Sequence, residues 1–154
     1  MKKKVRIGIL GCADVAKRHA IKAFQSLDNA KVVSISSRDY SKARKWASDF
    51  GIAAEASYDA LLKNKNIDAV YIPLPISLHK KWVLKAARAG KHIICEKSLA
   101  ESIKSAKEMV KACRSKGLVL YENFMCDFHP QHEKVLSLIK RGGIGQPFVF
   151  RSFY

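Results

Sequence analysis

The chain is organised around the segment VRIGILGCADVA at residues 5–16. Its first six residues are almost all apolar, which is typical of a strand buried on both faces of a sheet. Gly11 follows at once, where a tight turn favours glycine. Apolar side chains then recur at helical spacing and predict one buried helix face, formed by Ala16, Ala20, Ala23, Phe24 and Leu27.

The alternation of strand and helix continues along the rest of the chain. Further strands are predicted at residues 31–36, 53–56, 69–72, 91–95 and 118–122. Helices are predicted between them, one of them at 102–116 with an inner face of Ile103, Ala106, Val110 and Cys113. Regular alternation indicates parallel strands joined by crossover helices. We therefore predict an α/β fold, a Rossmann-type doubly wound parallel sheet with strand order 3-2-1-4-5-6.

The formal net charge of +16 raises the hypothesis of a nucleic-acid-binding protein. The basic residues are spread over almost every helix, however, which favours a solvated lysine-rich surface. No apolar run approaches the roughly 20 residues that span a bilayer, and the N-terminus does not resemble a signal peptide. We expect a cytoplasmic protein without a membrane partner, whose four cysteines are free thiols.

The turn after the first strand matches the dinucleotide fingerprint GxGxxG/A, with Ala13 in place of the second glycine. In this motif, backbone amides at the start of a helix bind a pyrophosphate. A side chain at residue 13 is compatible with that role if its φ is negative. The predicted contacts are Gly11, Cys12, Ala13, Asp14 and Val15.

The end of the second strand distinguishes NAD from NADP. A carboxylate there binds the ribose 2′-hydroxyl, whereas an arginine accepts a 2′-phosphate. The strand ends in Ser37-Arg38, and Asp39 follows one residue later as a predicted helix N-cap. These residues favour NADP, with Ser37 and Arg38 as ligands. NAD stays possible if Asp39 turns toward the ribose instead.

Several segments together resemble the glucose–fructose oxidoreductase and inositol 2-dehydrogenase family, called Gfo/Idh/MocA. They are IDAVYIPLP at 67–75, AGKHIICEK at 89–97, ENFM at 122–125 and FHPQ at 128–131. The resemblance implies an NAD(P)-dependent dehydrogenase or reductase acting on a sugar, sugar nucleotide or cyclic polyol. It implies a homo-oligomer for the full-length protein. A cofactor-binding module without turnover is the alternative.

The resemblance also implies roles for individual residues. Lys97 is the expected catalytic residue, beside the nicotinamide and the substrate. Further cofactor contacts are expected from Pro73, Leu74, Pro75, His79, Glu96, Lys97 and Asn123. Ser98 replaces the family's proline, so we expect a trans Lys97–Ser98 bond, because a non-proline cis bond is costly.

Two domains are predicted. Residues 1–123 form the NAD(P)-binding domain. Residues 124–154 form a linking helix, with His129 as N-cap, and the first strand of an otherwise absent α+β substrate domain, because QPFVFRSFY at 146–154 is β-prone. Cys126, His129 and His132 offer spacing for a metal but no fourth ligand, so no metal is expected.

Overall fold

The computed structural model describes residues 4–151 and contains one six-stranded parallel sheet of order β3-β2-β1-β4-β5-β6. The strands are β1 (Val5–Leu10), β2 (Ala30–Ser36), β3 (Ala53–Glu55), β4 (Ala69–Ile72), β5 (His92–Glu96) and β6 (Leu120–Asn123). The order reverses between β1 and β4, where doubly wound sheets open their ligand crevice. The predicted fold class and strand order are confirmed.

Helices connect the strands and cover both faces of the sheet. They are α1 (Ile21–Gln25), α2 (Tyr40–Phe50), α3 (Tyr58–Lys63), α4 (Ile76–Arg88), α5 (Ile103–Arg114) and α6 (Pro130–Lys140). A π-helical turn (Ala16–Ala20) precedes α1, and a 3-10 turn (Met125–Phe128) precedes α6. One core cluster lies under α3, α4 and α5, and a second lies under the π turn, α1 and α2.

The predicted inner face of the first helix is partly wrong. Ala16 is buried, but Ala23 and Leu27 are exposed, and Ile21 is buried instead. The cause is the π turn, in which the Ile21 N–H donates to the Ala16 carbonyl five residues earlier. The extra residue in this turn rotates every later side chain around the helix axis.

The inner face predicted for α5 is also partly wrong. Ile103 is 76% exposed, whereas Met109 is fully buried beside Cys113. Ser102 caps the helix through its hydroxyl, which accepts the Ser105 N–H. Ile103 therefore occupies the first turn, and the inward stripe begins further along the helix.

Two strands start later than predicted because the residues before them close the preceding helices. The Lys91 N–H donates to the Ala86 carbonyl, and the Leu118 N–H donates to the Cys113 carbonyl. In each case the donor follows a glycine with positive φ, Gly90 or Gly117. This is the usual way in which helix C-termini satisfy their last carbonyls.

The chain divides into two compact units, one that extends to Asn123 and one that begins at Phe124. In the second unit, His129 caps α6 by accepting the Gln131 N–H, as predicted. The strand predicted at the end of the chain is wrong for residues 146–151, which have no regular secondary structure. A strand needs a neighbouring backbone to pair with, and residues 124–151 contain no other strand. Residues 152–154 lie outside the described part of the chain.

Candidate functional site

A cleft of about 500 Å³ opens at the carboxyl ends of β1, β2 and β4. Three loops that follow these strands meet there. The lining residues are Gly11, Cys12, Ala13, Ser37, Arg38, Asp39, Lys42, Tyr58, Pro73, Leu74, Pro75 and Leu78. Eight of the predicted cofactor contacts are thus brought together in one cavity, with an apolar wall after β4 and a polar wall after β2.

The glycine turn forms the floor of this cleft. Gly11 has φ +118°, and its N–H donates to the Ser36 carbonyl at 2.8 Å, which joins the ends of β1 and β2. Ala13 has no positive φ, since none of the non-glycine residues in 4–151 has one. The condition under which a side chain at residue 13 is tolerated is therefore met.

Asp14 and Val15 begin the helical segment just beyond the turn. The first amides of a helix have no intrahelical acceptor and carry the positive end of its dipole. The Asp14 side chain is exposed and pairs with Arg18 at 3.6 Å.

Asp39 acts as a helix cap. Its Oδ1 accepts the Ser41 N–H at 2.9 Å, the Ser41 hydroxyl at 2.6 Å and the Lys42 N–H at 3.2 Å. These hydrogen bonds, from the Ser41 side chain above all, hold the pKa of Asp39 below its ordinary value. The polar wall of the cleft therefore presents Arg38 and Ser37 beside a carboxylate that is already engaged.

Sequence reasoning missed Lys42, Tyr58 and Leu78, which also line the cleft. The Lys42 ammonium lies 5.5 Å from the centre of the Trp46 ring, which is one helical turn further along α2. This cation–π contact orients the Lys42 side chain. A signal for it was present, because Lys42 is the third residue of the helix that Asp39 caps. Tyr58 comes from α3, distant in sequence, and no local pattern points to it.

Cys12 lines the same cleft and is half-buried. Burial raises the pKa of its thiol, and a hydrogen bond with Ser37 and the charge of Lys42 partly offset this effect. All four cysteines are free thiols, as predicted.

A second group of polar side chains lies further along the same sheet edge, on β4, β5 and β6. Glu96 Oε1 accepts the Tyr71 hydroxyl at 2.6 Å and the Asn123 amide at 2.6 Å. Burial and then the bond to Glu96 raise the pKa of Tyr71 well above its ordinary value, so its hydroxyl stays a donor. Glu96 and Asn123 are therefore fixed relative to one another.

The loop after β5 carries Lys97, which is exposed. The expectation of a trans Lys97–Ser98 bond is wrong, because this bond is cis. The loop is held by side chains from other elements: the Leu99 N–H donates to Glu122, and His79 faces the Ser98 and Leu99 carbonyls. Lys97, Glu96 and Asn123 do not line the cleft described above.

His79 lies inside the fold, not on the cleft surface. Its side chain is 1% exposed, and both ring nitrogens face backbone carbonyl oxygens. Its environment is that of a residue supporting the loops around it.

Two absences are found within the described residues. No helix there has the length and apolarity to cross a lipid bilayer. Among residues 4–151, no three His, Cys, Asp or Glu side chains are arranged to hold a metal ion.

A glycine turn after the first strand, and a cleft across the switch point of a parallel sheet, define a Rossmann domain of the class that binds nucleotides at this edge. The chain belongs to the GFO_IDH_MocA oxidoreductase family with an NAD-binding Rossmann fold, whose profile matches residues 5–124. The family resemblance inferred from the motifs is confirmed.

Named relatives match most of this chain. It is 40% identical over 149 residues to the dTDP-3,4-didehydro-2,6-dideoxy-alpha-D-glucose 3-reductase of Actinomadura kijaniata, covering 97% of this chain and 44% of the relative. It is 41% identical over 133 residues to D-xylose 1-dehydrogenase (NADP(+)) 2 of Haloferax volcanii, covering 86% of this chain and 41% of the relative.

A solved structure agrees with the fold. The crystal structure of the 3-ketoreductase from Actinomadura kijaniata in complex with NADP and TDP-benzene has a TM-score of 0.89 at 39% identity, covering 91% of this chain and 43% of that chain. The chain thus spans less than half the length of each of these relatives.

Proposed function

We propose that this chain supplies the cofactor-binding half of an NADP(H)-dependent oxidoreductase. The reaction moves a hydride to or from a hydroxyl or keto carbon of a sugar, sugar nucleotide or cyclic polyol. One observation carries the proposal: a single cleft joins the Gly11 turn to Arg38 and Lys42, while Asp39 is engaged as a helix cap.

The Gly11 turn fits a pyrophosphate. A Cβ on residue 11 would strike the Leu74 side chain at 2.7 Å, so the backbone itself lines the space. The amides of Asp14 and Val15 would then donate to phosphate oxygens at the helix start. Ala13 places only a methyl group against this site.

The polar wall fits a 2′-phosphate. Arg38 provides a planar fork of donors, and Lys42 adds a second positive charge from the first turn of α2. Ser37 adds a hydroxyl. Two cations stand at this wall against the one carboxylate of Asp39, whose Oδ1 is used in the helix cap, and this balance favours a phosphate over a ribose hydroxyl.

Lys97 is the residue we assign to the reacting centre. The bound nicotinamide dinucleotide would supply the hydride chemistry. An exposed ammonium at the end of β5 would donate a hydrogen bond to the substrate oxygen and stabilise negative charge that develops there. Glu96, held by Tyr71 and Asn123, would orient the cofactor beside it.

The substrate class is supported by the named relatives, which act on a nucleotide-linked sugar and on xylose. A second candidate is a module that binds the cofactor without turnover. It is favoured by the position of Lys97, which does not line the cleft.

Calorimetric titration of the chain with NADPH, NADH and a DNA duplex separates these functions from nucleic-acid binding. The proposal expects NADPH to bind more tightly than NADH. Salt-sensitive DNA binding without heat from either dinucleotide would refute it.

A further inference from the structure

The His79 ring is enclosed by three carbonyl oxygens. Its Nε2 lies 2.7 Å from the Leu74 oxygen, and its Nδ1 lies 3.0 Å from the Ser98 oxygen and 3.2 Å from the Leu99 oxygen. Leu74 belongs to the apolar wall of the cleft, whereas Ser98 and Leu99 follow Lys97. One buried side chain thus joins the cleft wall to the lysine loop.

Carbonyl oxygens accept hydrogen bonds and do not donate them, so the His79 ring can hold them only through an N–H. The Nδ1 atom lies within hydrogen-bond distance of both the Ser98 and the Leu99 oxygen. The ring is 1% exposed, so these contacts lie away from bulk water.

A carboxylate lies at the other end of the same peptide group. The Ser98 carbonyl and the Leu99 N–H belong to one peptide unit, and that N–H donates to Glu122 Oε1 at 2.7 Å. The hydrogen bonds therefore run from Nδ1 of His79 through this peptide to Glu122. A donor at the carbonyl end and an acceptor at the N–H end polarise the peptide in the same direction, so the two bonds reinforce each other.

We propose that His79 and Glu122 clamp the Ser98–Leu99 peptide from its two ends and so position Lys97. Both are positioning residues, and their value to catalysis rests on the proposed role of Lys97. Lys80, the neighbour of His79 in sequence, does not take part in the clamp. Its ammonium is paired with Glu108 of α5 at 2.6 Å.

Variants of His79 test the carbonyl end of this clamp. His79→Leu removes the donor at the Ser98 and Leu99 carbonyls, so it should speed hydrogen exchange of the Leu99 amide and shift the Lys97 amide resonance. His79→Gln, which keeps an N–H donor, should give a smaller change. Unchanged signals in His79→Leu would overturn the proposal.

Variants of Glu122 test the clamp itself. Glu122→Leu should speed hydrogen exchange of the Leu99 amide by more than about tenfold and shift the Lys97 amide resonance. Glu122→Gln, which keeps an oxygen acceptor, should give a smaller change. Glu101→Gln removes one charge from an exposed residue of the same loop and should change neither signal. Unchanged Leu99 exchange in Glu122→Leu would refute the clamp.

NADPH titration of the same samples separates this inference from the proposed function. A chain that binds NADPH but shows unchanged Leu99 exchange in Glu122→Leu refutes the clamp alone. Faster Leu99 exchange in Glu122→Leu, in a chain that binds no dinucleotide, supports the clamp and refutes the cofactor proposal.

Discussion

Gly11 and Leu74 stand so close that a Cβ on residue 11 would lie 2.7 Å from Leu74 Cδ2. Gly11 follows β1 and Leu74 follows β4, so the two loops that line the cleft meet at the switch point of the sheet. The backbone of Gly11 also has φ +118°, which L side chains rarely adopt. Both constraints require glycine at this position and make backbone, not side chain, the floor of the cleft.

Gly11→Ala should therefore lower the melting temperature and abolish NADPH binding. The matched control is Gly117→Ala, which also has positive φ, +63°, but has nothing within 4 Å of the added Cβ. Gly117→Ala should cost about 1–2 kcal/mol and leave NADPH affinity intact. Calorimetry on both variants checks this, and wild-type affinity in Gly11→Ala would contradict the proposed pyrophosphate site.

Arg38→Ala should weaken NADPH binding by about 10- to 100-fold, because a charge-assisted pair with the 2′-phosphate is lost. NADH binding should change little. Lys42→Ala should act in the same direction. Arg44→Ala, an exposed cation on the same helix that does not line the cleft, is the control. Equal losses of affinity for NADPH and NADH would contradict the binding of the 2′-phosphate by Arg38.

Cys12 reports on occupancy of the cleft. NADPH should slow alkylation of Cys12, which lines the cavity, and leave the exposed Cys126 unaffected as an internal control. Cys95 should react only after unfolding, because burial raises the pKa of its thiol to about 12. Mass spectrometry after timed alkylation gives each rate. Equal Cys12 rates with and without NADPH would place the dinucleotide elsewhere.

Much of the fold was predictable because its signals are local. The apolar run at residues 5–10, the glycine after it and the cap at Asp39 each act within a few residues, and the parallel sheet follows from strand–helix alternation. Part of the polar wall could be predicted, because Arg38 lies just after the end of β2. The position of Lys42 could have been predicted as well, because Lys42 lies in the first turn of the helix that Asp39 caps.

The remaining features depend on tertiary contacts. The π turn that brings Ile21 inward shifts the helix register by one residue, and the 3.6-residue spacing gives no sign of it. Tyr58 reaches the cleft from α3, and His79 is buried because loops after β4 and β5 close over it. Such placements arise from chain segments that are separated in sequence.

The cap at Asp39 predicts a pH dependence of stability. Hydrogen bonds in the folded state lower the pKa of Asp39, so its ionised form contributes stability above the unfolded value of about 3.9. That contribution is lost as the pH falls through the lowered folded pKa. Asp39→Asn keeps the cap, and its melting temperature should approach that of wild type in acid. Asp39→Ala should melt lower at every pH. A pH-independent gap between wild type and Asp39→Asn would contradict the role of charge.

Lys97 should affect turnover rather than cofactor affinity. The test is a hybrid in which this chain replaces the matching segment of the Actinomadura kijaniata 3-reductase. In that hybrid, Lys97→Ala should lower kcat by more than about 100-fold, since it removes stabilisation of charge on the reacting oxygen. Lys107→Ala, on the exposed side of α5, is the control. An unchanged kcat in an active hybrid would remove Lys97 from the chemistry.

A crystal structure of the chain grown with NADPH would show the dinucleotide itself. The predicted result is electron density for the 2′-phosphate beside Arg38 and Lys42 and for the pyrophosphate against the amides that follow Gly11. A cleft closed to the cofactor, or density for NADPH at another surface, would contradict the proposed site.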